Sequence, residues 1–230
     1  MYLLTETASP FALERWAAFF ANFGQFAKGF FYTLGISIGA LIVALLLGLI
    51  FGAMSSTHNK VLRGISRVYV EIFQNTPLLV QFVVVFYGIS ILTDGHIMIP
   101  ISLTAILCVG VYTGAYISEI IEAVPKGQTE AALSQGFTYA DTMRIIILPQ
   151  AVRTILPPLT NQVVNLIKNT STVAIISGAD IMFTAKAWAY DTTNYVPAFA
   201  GAAFLYFIMC FPLATWARRK EEENKKSYSL

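Results

Sequence analysis

The chain has 230 residues, 56% of them hydrophobic and 12% charged, with a formal net charge of +2. Soluble domains carry about 25% charged residues, so this balance excludes an ordinary soluble domain and points to a membrane protein. The small net charge gives no footprint for nucleic acid, and none is expected as a partner. Cys108 and Cys210 fall inside apolar runs without CxxC or Cys/His spacing, and His58 and His96 stand alone, so no metal or redox site is assembled.

The N-terminus lacks a basic n-region and a cleavage site behind a short apolar core, so the first strong apolar segment is expected in the mature protein. Residues 1–28 read as an extracytoplasmic or interfacial segment, in which Phe11 to Phe26 is expected to lie along the membrane surface with a thin polar face. From Gly29 to Asn59 there is no Lys, Arg, Asp or Glu. Its apolar part, residues 30–54, would reach roughly 37 Å as a helix, more than the ~30 Å hydrocarbon core, and is the first predicted span. Gly35xxxGly39 and Gly48xxxGly52 give it small faces for close helix approach within one subunit.

Lys60, Arg63 and Arg67 precede a second span, 68–92, which is interrupted by Gln74-Asn75-Thr76-Pro77. Pro77 removes a backbone donor, and the polar triplet before it can re-satisfy the freed carbonyls. Such a broken helix either lines a cavity or packs on a neighbour, and Glu71 either pairs with Arg67 or acts in transport. The third span, 99–122, ends at Glu119 and Glu122, for which ion pairing with the following loop is the expected role.

The loop that follows, 125–149, is too polar to cross a membrane. Glu130-Ala131-Ala132 favours a helix, which Gly136 should stop. Thr138 and Asp141 form a capping-box pattern that opens a second helix towards Pro149. A helix–turn–helix placed between two spans reads as a docking element or, on pattern alone, as a merely structured loop. In the fourth span, 155–176, Pro157-Pro158 should kink or begin the helix. Beyond them Asn161, Asn165, Lys168 and Thr172 recur at spacings of four, three and four, with Gln162 and Asn169 beside them. At ~100° per residue these make a polar stripe ~16 Å long. An unpartnered amide costs several kcal/mol in lipid, so the stripe faces protein or water, through interhelical hydrogen bonds or along a solvated pathway. The solvated pathway accounts better for the number of polar groups. Gly178 to Asn194 reads as a polar connection, 195–216 is the fifth span, and 218–230 is a charged tail of disordered composition.

Lys and Arg orient the chain. The 1–2 and 3–4 connections and the tail hold eleven, against three on the other side. The expectation is an all-α integral membrane protein of five transmembrane helices, N-terminus outside and C-terminus cytoplasmic, with residues 29–217 as the transmembrane domain. No nucleophile–His–carboxylate set and no GxxxxGK[ST] loop is present in the sequence, so no catalytic role is expected. Uphill transport would draw on another chain or on an ion gradient. Five spans enclose a path most naturally as a pseudo-twofold dimer.

These residues carry a resemblance. Glu130-Ala131-Ala132, Gly136, Ile146 and Leu148-Pro149 match the EAA motif of ABC importer permease subunits at every fixed position. Asn75-Thr76-Pro77-Leu78-Leu79-Val80-Gln81, Leu148 to Arg153, Leu156 to Asn161 and Lys168-Asn169-Thr170-Ser171 resemble the polar amino acid branch of that family. The chain departs from it at Gln74, Glu122-Ala123-Val124 and Ser134-Gln135, which leaves the substrate subgroup open. The resemblance implies a type I ABC importer permease fold in a bacterial plasma (inner) membrane, crossed several times. The implied partners are a second permease subunit (homodimer or heterodimer), two ATP-binding subunits that hold ATP-Mg, and an extracytoplasmic amino-acid-binding protein. No cofactor is expected in this chain. Glu130, Ala131, Ala132, Leu133 and Gly136 are implied to couple to the ATPase. Asn161, Gln162, Asn165, Lys168 and Thr172 are the candidate substrate path, with Lys168 favouring a carboxylate. The absence of an acidic residue near Gln162 argues against an arginine or lysine carrier. The alternative is a gradient-driven secondary carrier or channel subunit, which the matched cytoplasmic motif does not suit.

Overall fold

The computed structural model describes residues 9, 11–57, 59–122, 132, 134–138 and 141–228, and every regular element among them is helical. A short amphipathic helix α1 (Leu13–Ala21) leads into α2 (Phe23–Ser56). Helix α3 (Lys60–Asn75) starts at the cation cluster, so Lys60, Arg63 and Arg67 are helical residues and not part of a loop. Asn59 explains the start: its Oδ1 accepts from the N–H groups of Val61 at 2.9 Å and Leu62 at 3.4 Å. The break comes at Thr76, extended at φ −107°, because the Pro77 ring disfavours helical geometry in the residue before it. The Asn75 amide turns back to the Glu71 carbonyl at 2.8 Å. Helix α4 (Leu78–Leu92) then carries a π-helical insert at Val84–Gly88.

Helix α5 (Ile101–Glu122) coincides with the third predicted span. A π-helical stretch (Thr142–Ile147) leads directly into α6 (Leu148–Asn169), with Pro157 and Pro158 inside it, and a 3-10 segment (Thr170–Ile176) closes at Ser177, φ +60°. The predicted polar connection holds a helix, α7 (Ile181–Thr192), and α8 (Tyr195–Tyr228) runs on through most of the charged tail. That tail is therefore not the disordered segment its composition suggests: Lys220 and Glu223, one turn apart, pair at 2.6 Å along the helix. Among the described residues α2, α5 and α8 are each long and apolar enough to cross a membrane, and α3 with α4 makes a fourth such span if the broken pair counts as one. Helix α6 is not among them, since its polar residues lower its apolarity.

The chain divides into two compact units: Met1–Ala40 with Leu78–Val109 and Ile167–Cys210, and Leu41–Pro77 with Gly110–Leu166 and Phe211–Leu230. In the first, α1 is pinned by aromatic packing and one arginine. Phe19 meets Phe26 and Trp188 edge-on at 4.8 and 6.0 Å between ring centroids, while Arg15 Nη1 donates to the Thr193 carbonyl and Asn194 Oδ1, both at 2.9 Å. Phe11, just ahead of α1, and Leu13 and Phe20 on it stay exposed. In the second unit the Tyr69 ring stacks on Phe51 at 4.0 Å, and its hydroxyl donates to the Val111 carbonyl at 2.7 Å.

The second small face of α2 is a contact surface. A Cβ on Gly48 would lie 2.6 Å from Ile117 Cβ, and one on Gly52 2.8 Å from Ile121 Cβ, so α5 seats two β-branched residues on two bare backbone positions. These isoleucines are stiff at χ1, and the close atoms include their branched Cβ, which cannot swing aside as a flexible side-chain end would. Gly35, by contrast, has nothing within 4 Å of such a Cβ. Gly48→Val should therefore lower the stability of the detergent-solubilised protein by about 1–3 kcal/mol, whereas Gly35→Ala stays within about 1 kcal/mol of wild type. Thermal unfolding curves that move equally for both would show that the α2–α5 contact is not the tight one.

Candidate functional site

The predicted docking element is described only in part: Glu130, Ala131 and Leu133 lie outside the described residues. Ala132 is buried, at 5% exposure, and its carbonyl accepts from the N–H groups of Gln135 at 3.1 Å and Phe137 at 3.3 Å. With Gly136 at φ +88°, the bond from Phe137 five residues back to Ala132 is the Schellman way of ending a helix. Glycine is required there by conformation and not by space, because nothing lies within 4 Å of where a Cβ would stand. Two residues later the Thr138 hydroxyl accepts from Asp141 N–H at 3.2 Å and donates to Asp141 Oδ2 at 2.6 Å. The sequence pattern thus marks a real cap, closed between the side chains. The helix it opens does not stop at Pro149. It passes through the π-helical stretch into α6, unbroken from Asp141 to Asn169.

Helix α6 sorts its residues by face. Leu166 and Ile167 are buried at 0% and 5% exposure, whereas Asn161 and Lys168 are exposed and Gln162 and Asn165 half-buried. At ~100° per residue Asn161, Asn165 and Lys168 fall within about 60° of one another. None of the side chains of Asn161, Gln162, Asn165 and Lys168 hydrogen-bonds or ion-pairs with another described residue. Interhelical bonding among the described residues therefore does not account for the stripe. Thr172 is half-buried in the 3-10 segment, where the tighter winding of ~120° per residue turns it about 40° off the stripe.

Lys168 also borders a cavity of about 300 Å³ in the first unit, shared with Ser171, Met182, Phe199, Ala203 and Tyr206. Behind it lies a buried carboxylate that sequence reasoning does not single out. Asp180, at 0% exposure, caps α7 by accepting from Met182 N–H at 3.2 Å and Phe183 N–H at 3.0 Å, and Tyr206 Oη donates to it at 3.2 Å. Thr33 on α2 accepts from Ile181 N–H at 3.1 Å, so three helices meet at this cap. The available signal is an Asp directly ahead of the apolar run Ile181-Met182-Phe183, an N-cap pattern hidden in what reads as a loop.

In the second unit a cavity of about 360 Å³ is bordered by Lys60, Arg63, Arg67, Glu71, Glu119 and Glu122. Glu71 does approach Arg67, at 3.8 Å, an exposed pair worth little. Glu119 accepts from Gln74 Nε2 at 2.8 Å and makes no ion pair among the described residues.

The signature of a protein family, the inner membrane components of binding-protein-dependent transport systems, matches residues 44–221. This chain belongs to that family. The polar helix, the capped turn ahead of it and the apolar spans around them are thus parts of an ABC transporter permease, a transport component and not an enzyme. The permease is 36% identical over 216 residues to a probable glutamine ABC transporter permease protein of Bacillus subtilis (strain 168), covering 91% of this chain and 97% of that protein. It is 33% identical over 208 residues to the glutamate/aspartate import permease protein of Escherichia coli (strain K12), covering 81% and 85%. Its fold is similar to the crystal structure of an amino acid ABC transporter with histidines, at a TM-score of 0.81 and 29% identity over 90% of this chain and 98% of that one.

The Asp180 cap yields a prediction. Asp180→Ala strands two part-buried N–H groups and the Tyr206 hydroxyl and should cost the permease about 1–3 kcal/mol, whereas Asp180→Asn keeps one carbonyl oxygen to cap the helix and should cost less. Thermal unfolding of the two variants side by side checks this, and equal losses would mean that the carboxylate is not acting as a cap.

Proposed function

We propose that this permease is the membrane subunit of an ATP-driven amino acid importer, crossing a bacterial inner membrane five times with its N-terminus outside and its C-terminus in the cytoplasm. Spans 30–54, 68–92, 99–122, 155–176 and 195–216 compose the transmembrane domain between the N-terminal segment 1–28 and the cytoplasmic tail 218–230. Two such subunits, alike or paired with a relative, form the pore. Two ATP-binding subunits holding ATP-Mg sit beneath them, and an extracytoplasmic binding protein delivers the amino acid.

Within this reading the loop 125–149 is the coupling element. Glu130, Ala131, Ala132, Leu133 and Gly136 make the helix and exit turn that seat in the ATPase. Among the described residues of the element Ala132 is buried and Ser134 to Phe137 are exposed, which supports the exit turn as part of the surface that meets the ATPase. Asn161, Gln162, Asn165, Lys168 and Thr172 line the path, the amides meeting charged or zwitterionic groups and Lys168 a carboxylate. The observation that carries this is the polar face of α6, unpartnered among the described residues. An exposed ammonium beside amides needs either water or a polar solute, and a membrane subunit supplies both only along a path. The relatives' named cargoes, glutamine and glutamate or aspartate, support amino acids as the solute class.

In proteoliposomes, uptake should require ATP, the ATPase subunits and loaded binding protein together. Uptake that persists without any ATPase chain would overturn the reading. Asn165→Leu and Lys168→Met should abolish uptake while leaving the ATPase bound, and unchanged kinetics in both would make the stripe structural. Gly136→Pro, which cannot adopt φ +88°, should release the ATPase from a normally inserted permease. Co-purification of the ATPase at wild-type yield would place the docking surface elsewhere.

A further inference from the structure

We propose that the cavity of the second unit, between α3 and the last turn of α5, holds the headgroup of a phospholipid whose phosphate carries a primary ammonium, as in phosphatidylethanolamine. None of the residues bordering this cavity belongs to α6, so the site is separate from the polar face of that helix.

Helix α3 has three sides, each about 120° from the next. Ser66 and Tyr69 form the buried side, where the Ser66 hydroxyl donates to the Phe51 carbonyl at 2.8 Å and ties α3 to α2. Val61, Ile65, Val68 and Ile72, at spacings of four, three and four, form a second side that is apolar and exposed. Lys60, Arg63 and Arg67 form the third and border the cavity of about 360 Å³. Glu119 and Glu122, in the last turn of α5, border it too, and Ser55 brings in the last turn of α2. Both α2 and α5 are long and apolar enough to cross a membrane, and both end here. That puts the cavity where hydrocarbon gives way to headgroups and water.

The charges are sorted by helix and left apart. All three cations stand on α3, and the Glu119 and Glu122 carboxylates of α5 pair with none of them. Arg67 meets Glu71, one turn along its own helix, at 3.8 Å, while Lys60 and Arg63 make no ion pair among the described residues. Glu119 uses Oε2 to accept from Gln74, which leaves Oε1. Cations from one helix and carboxylates from another fit a ligand that carries both signs on a short linker. Its phosphate oxygens would accept from α3, and its ammonium would donate to Glu119 and Glu122. A purely anionic headgroup would suit α3 and be repelled by α5. A quaternary ammonium has the right charge but no N–H to donate. The exposed apolar side of α3 gives acyl chains a surface beside the headgroup, as on an amphipathic helix at a membrane surface. A soluble phosphate compound has no use for that side.

The test is native mass spectrometry of the full-length permease in detergent, equilibrated with phosphatidylethanolamine, phosphatidylglycerol and phosphatidylcholine of identical acyl chains. Wild type should retain phosphatidylethanolamine about three- to fivefold over either of the others, the scale of an exposed charge pair. Arg63→Gln should lower its retention by a similar factor, and Glu122→Gln should erase its advantage over phosphatidylcholine. Both positions are exposed, so neither variant disturbs the packed side of its helix. Equal retention of the three lipids by wild type, a preference for phosphatidylglycerol, or a preference unmoved in both variants would overturn the site. Displacement of the lipid by millimolar inorganic phosphate would assign the cations to a soluble anion instead. A dimer that Arg63→Gln dissolves in the same spectra would put a second copy of the chain there, and either result also overturns the proposal.

Discussion

A helix that carries Asn161, Gln162, Asn165 and Lys168 on one side cannot turn that side to hydrocarbon, where each unpaired amide costs several kcal/mol and the ammonium more. The rest of the permease answers to this constraint. Leu166 and Ile167 anchor the opposite side of α6 in packed surroundings. The two bare glycines of α2 let the isoleucines of α5 approach the backbone directly, and packing of this kind holds helices together where water provides no drive. The polar face is left without partners among the described side chains, which suits a subunit whose second wall comes from another chain.

The capped turn runs straight into the polar helix. From Asp141 the backbone stays helical through the π-helical stretch to Asn169. In the π-helical stretch each turn holds about one residue more than an α turn, which shifts the faces of the helix on either side of it. Gly136 marks the other end. Its left-handed backbone sets the exit angle of the first helix, and the Thr138–Asp141 cap sets the entry of the second.

Local chemistry is legible in the sequence wherever one residue type has one backbone meaning. Gly136, Thr138 with Asp141, Pro77 and the Gly48–Gly52 pair all read correctly, because positive φ, capping, the pre-proline restriction and close approach are each set by a few atoms. Helix extents are less legible. Charge suggests solvent and hence a loop for Lys60, Arg63 and Arg67, yet the Asn59 cap starts the helix ahead of them. Pro149 marks no helix end, and composition suggests disorder where α8 continues. The burial of the Asp180 cap escapes the sequence because Tyr206, which donates to the carboxylate, and Thr33, which accepts from Ile181 N–H, are far away along the chain: pattern shows a cap, but only tertiary structure shows that it is buried.

The central claim is that the polar face of α6 meets water and solute. The most direct measurement places a thiol there, as Asn165→Cys in a Cys108→Ser, Cys210→Ser background, and follows its reaction with a membrane-impermeant reagent in the assembled, reconstituted complex. The account predicts reaction from the aqueous phase and a slower reaction when the transported amino acid is present. A thiol that reacts only with a lipid-soluble reagent, at a rate the amino acid does not change, would contradict it.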